Sequence, residues 1–148
     1  VLEQEKIDDE IVILPGDNIF NINFVEIHNF YKEKNAASIL VHPLADKSRL
    51  TSVGIVEIDE NNKITGFEEK PDIPKSNLIA PPVYFLPKDN VSLVHTFLNS
   101  SDTHDAPGYF ISWLHKRIPT YAFVMEEKYY DIGTLEQYNK VNSEFKQK

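Results

Sequence analysis

Two aspartates in this sequence stand where a run of apolar or aromatic residues ends abruptly. Asp17 follows the apolar run at 11–14 and Gly16, and Asp131 follows two tyrosines just before Gly133. Four branched apolar residues bounded by turn formers are typical of a strand buried on both faces in a parallel sheet. Ligands bind at the carboxyl ends of such strands, so we expect Asp17 to lie at the ligand edge of a central strand.

The same two aspartates could hold a cation if their strands share a sheet. Two carboxylates with phosphate oxygens and water are the usual surroundings of Mg²⁺ in proteins. The alternative is that Asp17 and Asp131 only cap the helices that follow them.

Glu69 and Lys70 are a second pair that could carry chemistry, at the end of a segment that we expect to be extended. A carboxylate that binds hydroxyls and an ammonium that binds phosphate can share one pocket wall. Pro71 disfavours the helical conformation for the residue before it, which predicts an extended Lys70. The alternative is a charged strand end that faces water.

Other site classes find no support in the composition. The chain has no cysteine, its five histidines lack the spacing of metal ligands, and no serine or cysteine set indicates covalent catalysis. The net charge of -8 argues against a nucleic-acid partner. No apolar run reaches membrane length and no signal peptide is visible, so we expect no membrane association and a cytoplasmic location.

The order of the strands and helices that must position these residues predicts an α/β fold, and the chain length predicts one domain spanning residues 1–148. A strand at 11–14, an amphipathic helix at 19–34 and a buried strand at 37–41 form a βαβ unit with parallel strands and a right-handed crossover. Asn18 or Asn21 is the expected helix cap.

The second half alternates between strands and helices. We expect a hairpin over 52–67 with its turn at 60–63, a strand candidate at 78–86 interrupted by Pro81 and Pro82, and a strand at 120–125. One helix ends near Asn99 and another begins at 105–108. Thr134 and Gln137 predict a capping box for a closing helix. Its apolar face would consist of Leu135, Tyr138, Val141 and Phe145.

Four motifs in order carry a resemblance to a known family. They are GDNIF at 16–20, VGIVEID at 53–59, FEEKP at 67–71 and YDIGT at 130–134. Together they resemble sugar-phosphate nucleotidylyltransferases, most nearly glucose-1-phosphate thymidylyltransferase and its relatives. The resemblance implies a Rossmann-like nucleotide-diphospho-sugar transferase fold, with a mostly parallel sheet, flanking helices and an inserted β-hairpin.

The resemblance also implies a reaction. In it, an oxygen of a sugar 1-phosphate attacks the α-phosphorus of a nucleoside triphosphate in line, with Mg²⁺ bound, and pyrophosphate leaves. Asp17 and Asp131 resemble the metal ligands, Lys70 the cation on the sugar phosphate, Glu69 the partner of sugar hydroxyls, and Gly54 the backbone against the sugar. The implied substrate contacts are Gly16, Gly54, Glu69, Lys70 and Tyr84.

Family members open with a glycine-rich loop whose Arg and Lys grip the triphosphate, and this sequence shows no such loop. We therefore expect the carboxyl-side portion of such an enzyme, incomplete at the amino end of its sheet, inactive alone and able to form a homo-oligomer. A noncatalytic module that binds a sugar phosphate or nucleotide sugar is the alternative, and a domain that keeps only the fold is a third. The base and the sugar are left open.

Overall fold

A computed structural model describes residues 7–100, 105–126 and 129–145. No helix within these ranges is long and apolar enough to cross a membrane. The described strands are β1 Ile11–Ile13, β2 Asn18–Phe20, β3 Ala37–Pro43, β4 Gly54–Ile58, β5 Ile64–Glu69, β6 Leu78–Ile79, β7 Tyr84–Leu86, β8 Thr120–Val124 and β9 Tyr129–Asp131. The helices are α1 Phe24–Lys34, α2 Ser92–Ser100, α3 Gly108–Leu114 and α4 Leu135–Phe145, with 3₁₀ turns at Lys47–Ser52 and Lys88–Asn90.

Seven strands form the main sheet, in the order β1-β7-β3-β6-β4-β5, with β8 also paired to β3. The α/β class is confirmed, but the pairing differs from the mostly parallel sheet expected. Among the described strands only β3 and β8 pair in parallel, from Ala37↔Thr120 to Val41↔Val124. Strand β7 lies antiparallel between β1 and β3, so β1 and β3 run in the same direction without touching.

Strand β1 is not the doubly buried central strand that its apolar run predicted. Within the described ranges it pairs only with β7, and Val12 and Leu14 are 46% and 52% exposed. A short apolar run has no periodicity that distinguishes a covered strand from an edge strand. Which of the two it becomes depends on neighbours from elsewhere in the chain.

The segment from residue 18 to 34 also differs from the prediction of one helix. Asn18–Phe20 forms β2, which pairs antiparallel with β9, and α1 begins only at Phe24. The cap is Asn23 rather than Asn18 or Asn21, because its Oδ1 accepts a hydrogen bond of 3.0 Å from the Val25 N–H. Phe20 leaves the helix pattern because its ring stacks on Tyr129, with 5.8 Å between ring centroids.

The core lies on both faces of the main sheet. Side chains alternate along β3, so that Ile39 and Val41 pack with one cluster and Leu40 with another. Helices α2 and α3 cover the first face, and α1 covers the second with Ile27 and Tyr31. The result is a three-layer arrangement of helices, sheet and helices.

Several predicted elements are confirmed. β4 and β5 form the hairpin, whereas the single strand candidate at 78–86 is two short strands, β6 and β7, on either side of the two prolines. β8, the end of α2 and the start of α3 also lie close to their predicted positions.

Helix α4 confirms only part of its prediction. The Thr134 Oγ1 accepts a hydrogen bond of 3.2 Å from the Gln137 N–H, while the buried Gln137 Oε1 has no hydrogen-bond partner among the described residues. Val141 is buried, but the other members of the apolar face are not. The exposed fractions are 75% for Leu135, 51% for Tyr138 and 51% for Phe145. The pattern predicted the helix, but within the described ranges Val141 is the one residue of its apolar face that is buried.

Candidate functional site

A cleft of about 220 Å³ opens where the β2–β9 ribbon, the start of β4, the end of β5 and the start of α3 meet. It brings together five of the residues that the sequence singled out. These are Asp17, Gly54, Glu69, Tyr84 and Asp131. The rest of the lining is Asn18, Ser52, Val53, Ile79, Ala80, Pro81, Pro82, Pro107, Gly108 and Tyr129.

Asp17 and Asp131 reach the same wall of the cleft through the antiparallel β2–β9 ribbon, not through parallel strands. Asn18 pairs with Asp131, and the Ile132 N–H donates a hydrogen bond of 2.9 Å to the Asp17 carbonyl. Burial raises the pKa of the Tyr129 hydroxyl, and the charges of Asp131 and Asp17 raise it further against the opposing charge of Arg49. Both carboxylates therefore influence the ionisation of the same tyrosine.

The oxygen atoms on this wall are of the kind that binds a hard cation. Asn18 Nδ2 donates one long hydrogen bond of 3.4 Å to Asp131 Oδ1, and Asp17 is exposed. No cluster of three or more metal-binding side chains occurs in the described part of the chain. Mg²⁺ keeps several waters and is rarely enclosed by protein ligands alone, so Asp17 and Asp131 are the residues of this wall that could contribute carboxylate ligands to it.

Glu69 ends β5 and turns its carboxyl group into the cleft between two glycines. The side chain is partly buried, and this burial raises the pKa of its carboxyl, with a further rise from Asp105 and an opposing effect of Lys70. A carboxyl group with a raised pKa keeps its proton to a higher pH than an ordinary glutamate.

Tyr84 forms part of the cleft floor and is only 2% exposed. Burial raises the pKa of its hydroxyl far above the ordinary value, and the negative charge of Glu69 adds to the effect. The hydroxyl therefore stays protonated and remains a hydrogen-bond donor.

Lys70 and Gly16 are not part of the lining. Lys70 adopts φ 48°, in the left-handed region, so the extended conformation predicted from Pro71 is wrong. Its N–H donates a hydrogen bond of 3.2 Å to the Val53 carbonyl, and Pro71 is buried. These tertiary contacts outweigh a local preference that a non-glycine residue violates at a cost of about 1–3 kcal/mol. Gly16 is exposed, with open space where a side chain would stand.

Three lining residues were missed by the sequence analysis as functional candidates. Asn18 lies in the first quoted motif and Tyr129 directly precedes the last one, so their closeness to the two aspartates in the sequence was a usable signal. Gly108 was seen only as part of a helix start. Its packing against Glu69, 39 positions away in the chain, has no local signature.

The family model described as nucleotidyl transferase matches residues 1–148. The chain belongs to the nucleotidyl transferase family. Two curated relatives, both named glucose-1-phosphate adenylyltransferase, support this assignment. The protein from Clostridium acetobutylicum is 34% identical over 141 residues, covering 89% of this chain and 36% of its own length. That from Acetivibrio thermocellus is 32% identical over 138 residues, covering 89% of this chain and 32% of its own length.

The chain thus spans about a third of the length of these curated relatives. Solved structures agree on the fold. A UDP-glucose pyrophosphorylase complexed with UDP-glucose superposes with a TM-score of 0.80 at 18% identity, covering 99% of this chain and 60% of that one. A UTP-bound UGPase from Acinetobacter baumannii gives 0.76 at 20% identity, with 97% and 53% covered. The Rossmann-like nucleotidyltransferase fold is confirmed, whereas thymidylyl specificity is not shown, since the two relatives are named for adenylyl transfer.

Proposed function

We propose that this chain carries the sugar- and metal-binding part of a site that transfers a nucleoside monophosphate from a nucleoside triphosphate to a sugar 1-phosphate. The observation that carries the proposal is the meeting of Asp17 and Asp131 with Glu69 in one cleft. Membership of the nucleotidyl transferase family supports the reaction class. Glucose 1-phosphate is the first substrate to test, since the curated relatives are named for it. Thymidine triphosphate and adenosine triphosphate are the nucleotide donors to compare.

The sugar would be held by groups that exchange hydrogen bonds with hydroxyls. Glu69 accepts from sugar hydroxyls, Tyr84 donates to them, and Gly54 presents its backbone to the ring. Lys70 lies outside the lining, so its ammonium would reach the sugar phosphate from the rim on its flexible four-carbon stem. Gly16 would let a substrate approach the backbone beside Asp17.

Asp17 and Asp131 are the residues that would hold Mg²⁺. The cation supplies charge neutralisation on the phosphate oxygens during transfer. The protein's own contribution is positioning, since a misplacement of about 1 Å can cost roughly a hundredfold in rate. The ribbon of β2 and β9 brings the two aspartates to one wall of the cleft, beside which sugar phosphate and nucleotide would meet.

A noncatalytic module that binds a nucleotide sugar is the second candidate. The lining of the cleft contains neither Lys nor Arg among the described residues, so the charges that grip a triphosphate would come from outside it. Pyrophosphate release from a nucleoside triphosphate and glucose 1-phosphate, measured on a protein of the relatives' full length that contains this chain, distinguishes the enzyme from the module.

Thermal unfolding tests the proposed metal and ligand site directly. A nucleotide sugar with Mg²⁺ should raise the Tm, because a ligand at 100 times its Kd stabilises the folded state by about 2.7 kcal/mol. Asp17→Asn and Asp131→Asn should each abolish the part of the rise that depends on metal. Asp89→Asn, an exposed aspartate in the 3₁₀ turn Lys88–Asn90, serves as the control and should respond as the parent does. If both cleft variants keep the full metal response, the two carboxylates are helix caps or ribbon residues, not ligands.

A further inference from the structure

Gly108, the first residue of α3, is buried directly against the carboxyl group of Glu69. A Cβ added to Gly108 would overlap Glu69 Oε2 and would lie 2.8 Å from Glu69 Cδ. It would also lie 3.2 Å from Cε1 of the Phe67 ring. The space that a side chain would occupy at position 108 is therefore filled by the end of the Glu69 side chain.

Gly54 approaches the same two side chains from β4. A Cβ there would lie 2.9 Å from Glu69 Oε2 and 2.8 Å from Phe67 Cζ. A helix and a strand that are far apart in the sequence thus each contribute a glycine to one slot. The slot holds the Phe67 ring and the Glu69 carboxyl group, and the latter faces the cleft.

We propose that Gly108 is a positioning residue, whose missing side chain leaves the room that the Glu69 carboxyl group needs to stand in the cleft and bind sugar hydroxyls. The use of that carboxyl group for sugar binding rests on the proposed function. The seating of Glu69 by Gly108 rests on the packing alone.

The backbone at position 108 gives no reason for glycine. The glycines of the described part of the chain all lie outside the left-handed region, and α3 is a helix, where alanine is the better former. The atom that an alanine would displace first is the far end of a flexible side chain, which can swing away while the fold persists. Gly108→Ala should therefore weaken ligand binding far more than it lowers the stability of the fold.

The principal test compares Gly108→Ala with Gly66→Ala. Gly66 is a matched control because a Cβ there would also overlap a glutamate oxygen, that of Glu57, and neither residue lines the cleft. Binding of glucose 1-phosphate by calorimetry should weaken about tenfold or more in Gly108→Ala, as expected for a displaced charged hydrogen-bond partner, and should not change in Gly66→Ala.

A carbon-13 titration of the Glu69 carboxyl group gives a readout that needs no ligand. Burial in the slot raises the pKa of this group, so displacement towards water in Gly108→Ala should lower it to the range of an ordinary glutamate. The double variant Gly108→Ala with Glu69→Asp should recover part of the binding, because the shorter side chain no longer collides with the new Cβ.

Each outcome decides between the alternatives. Unchanged titration of Glu69 in Gly108→Ala overturns the proposal, as does a loss of binding of the same size in Gly66→Ala. If the parent chain binds no sugar 1-phosphate, the proposed function fails while the titration still decides the seating of Glu69. If Gly108→Ala does not fold, a folded double variant supports the collision with Glu69. An unfolded double variant places the obstacle at Phe67 and refutes the proposal.

Discussion

The carboxyl group of Glu69 shows how the setting of one residue makes it sensitive to pH. Burial raises its pKa above the ordinary value of 4.5, and the neighbouring Lys70 offsets only part of the effect. The folded state then binds this proton more tightly than the unfolded chain does. The contribution to stability is fully present below pH 4.5 and is lost as the pH rises through the higher pKa of the folded state.

Glu69→Gln should therefore raise the Tm at pH 7, because the amide resembles the protonated carboxyl group and removes the cost of a partly buried charge. The gain should shrink towards zero as the pH falls below 4.5. Thermal unfolding between pH 4 and pH 8 measures it, with the exposed neighbour Glu68→Gln as control, expected within about 0.5 kcal/mol of the parent. A gain that grows on acidification would contradict the assigned direction of the pKa shift.

At the scale of elements, a side-chain cap begins two helices that differ in how much of their surface is buried. Asn23 caps α1, which buries Ile27 and Tyr31 against the sheet. Thr134 caps α4, in which Val141 is the buried residue of the described part. Most helix stability in proteins comes from packing, so the loss of a cap should affect global unfolding only where the helix belongs to the core.

Asn23→Ala is expected to lower the free energy of unfolding by about 1 kcal/mol. Thr134→Ala should leave global unfolding nearly unchanged and instead speed amide hydrogen exchange in the first turn of α4. Urea denaturation and exchange measurements distinguish the two effects. Asn21→Ala, at a cap position that the sequence suggested and the structure does not use, should be close to neutral. A larger loss for Asn21→Ala than for Asn23→Ala would place the helix start back where the sequence pattern had it.

At the scale of the whole molecule, stability depends on a sheet covered on both faces. β3 crosses its middle, with β8 parallel on one side and β7 antiparallel on the other, and Leu40 on this strand has no exposed surface. Helix α1 covers Leu40, while α2 and α3 cover the opposite face. The cleft is built on strand ends of this framework.

Leu40→Ala should lower the free energy of unfolding by about 2–5 kcal/mol, because a buried leucine leaves a cavity that the sheet cannot fill. Against a total of roughly 5–15 kcal/mol for a domain, that is a large loss. Leu135→Ala, at a position 75% exposed, should change it by less than about 0.5 kcal/mol. Urea denaturation compares the two, and equal losses would mean that the face of α4 is covered in solution.

The sequence by itself determined the features that depend on the local pattern of residues along the chain. Alternating polarity predicted the hairpin of β4 and β5, a continuous apolar run predicted β3, and paired prolines predicted the interruption between β6 and β7. The motifs around Asp17, Glu69 and Asp131 also placed these residues in one site, because the resemblance that carries them spans the chain.

Only the tertiary structure decided the features that depend on partners distant in the sequence. The apolar run of β1 became an edge strand because β7 is its one described partner, and β2 replaced the start of a helix because β9 pairs with it. Lys70 adopts a left-handed backbone conformation, in which its N–H donates a hydrogen bond to the Val53 carbonyl. Gly108 is a candidate positioning residue only because the Glu69 carboxyl group occupies the space where a side chain at position 108 would stand. Propensity acts within a few residues of the chain, whereas burial, pairing and steric fit act between segments that meet only in the folded protein.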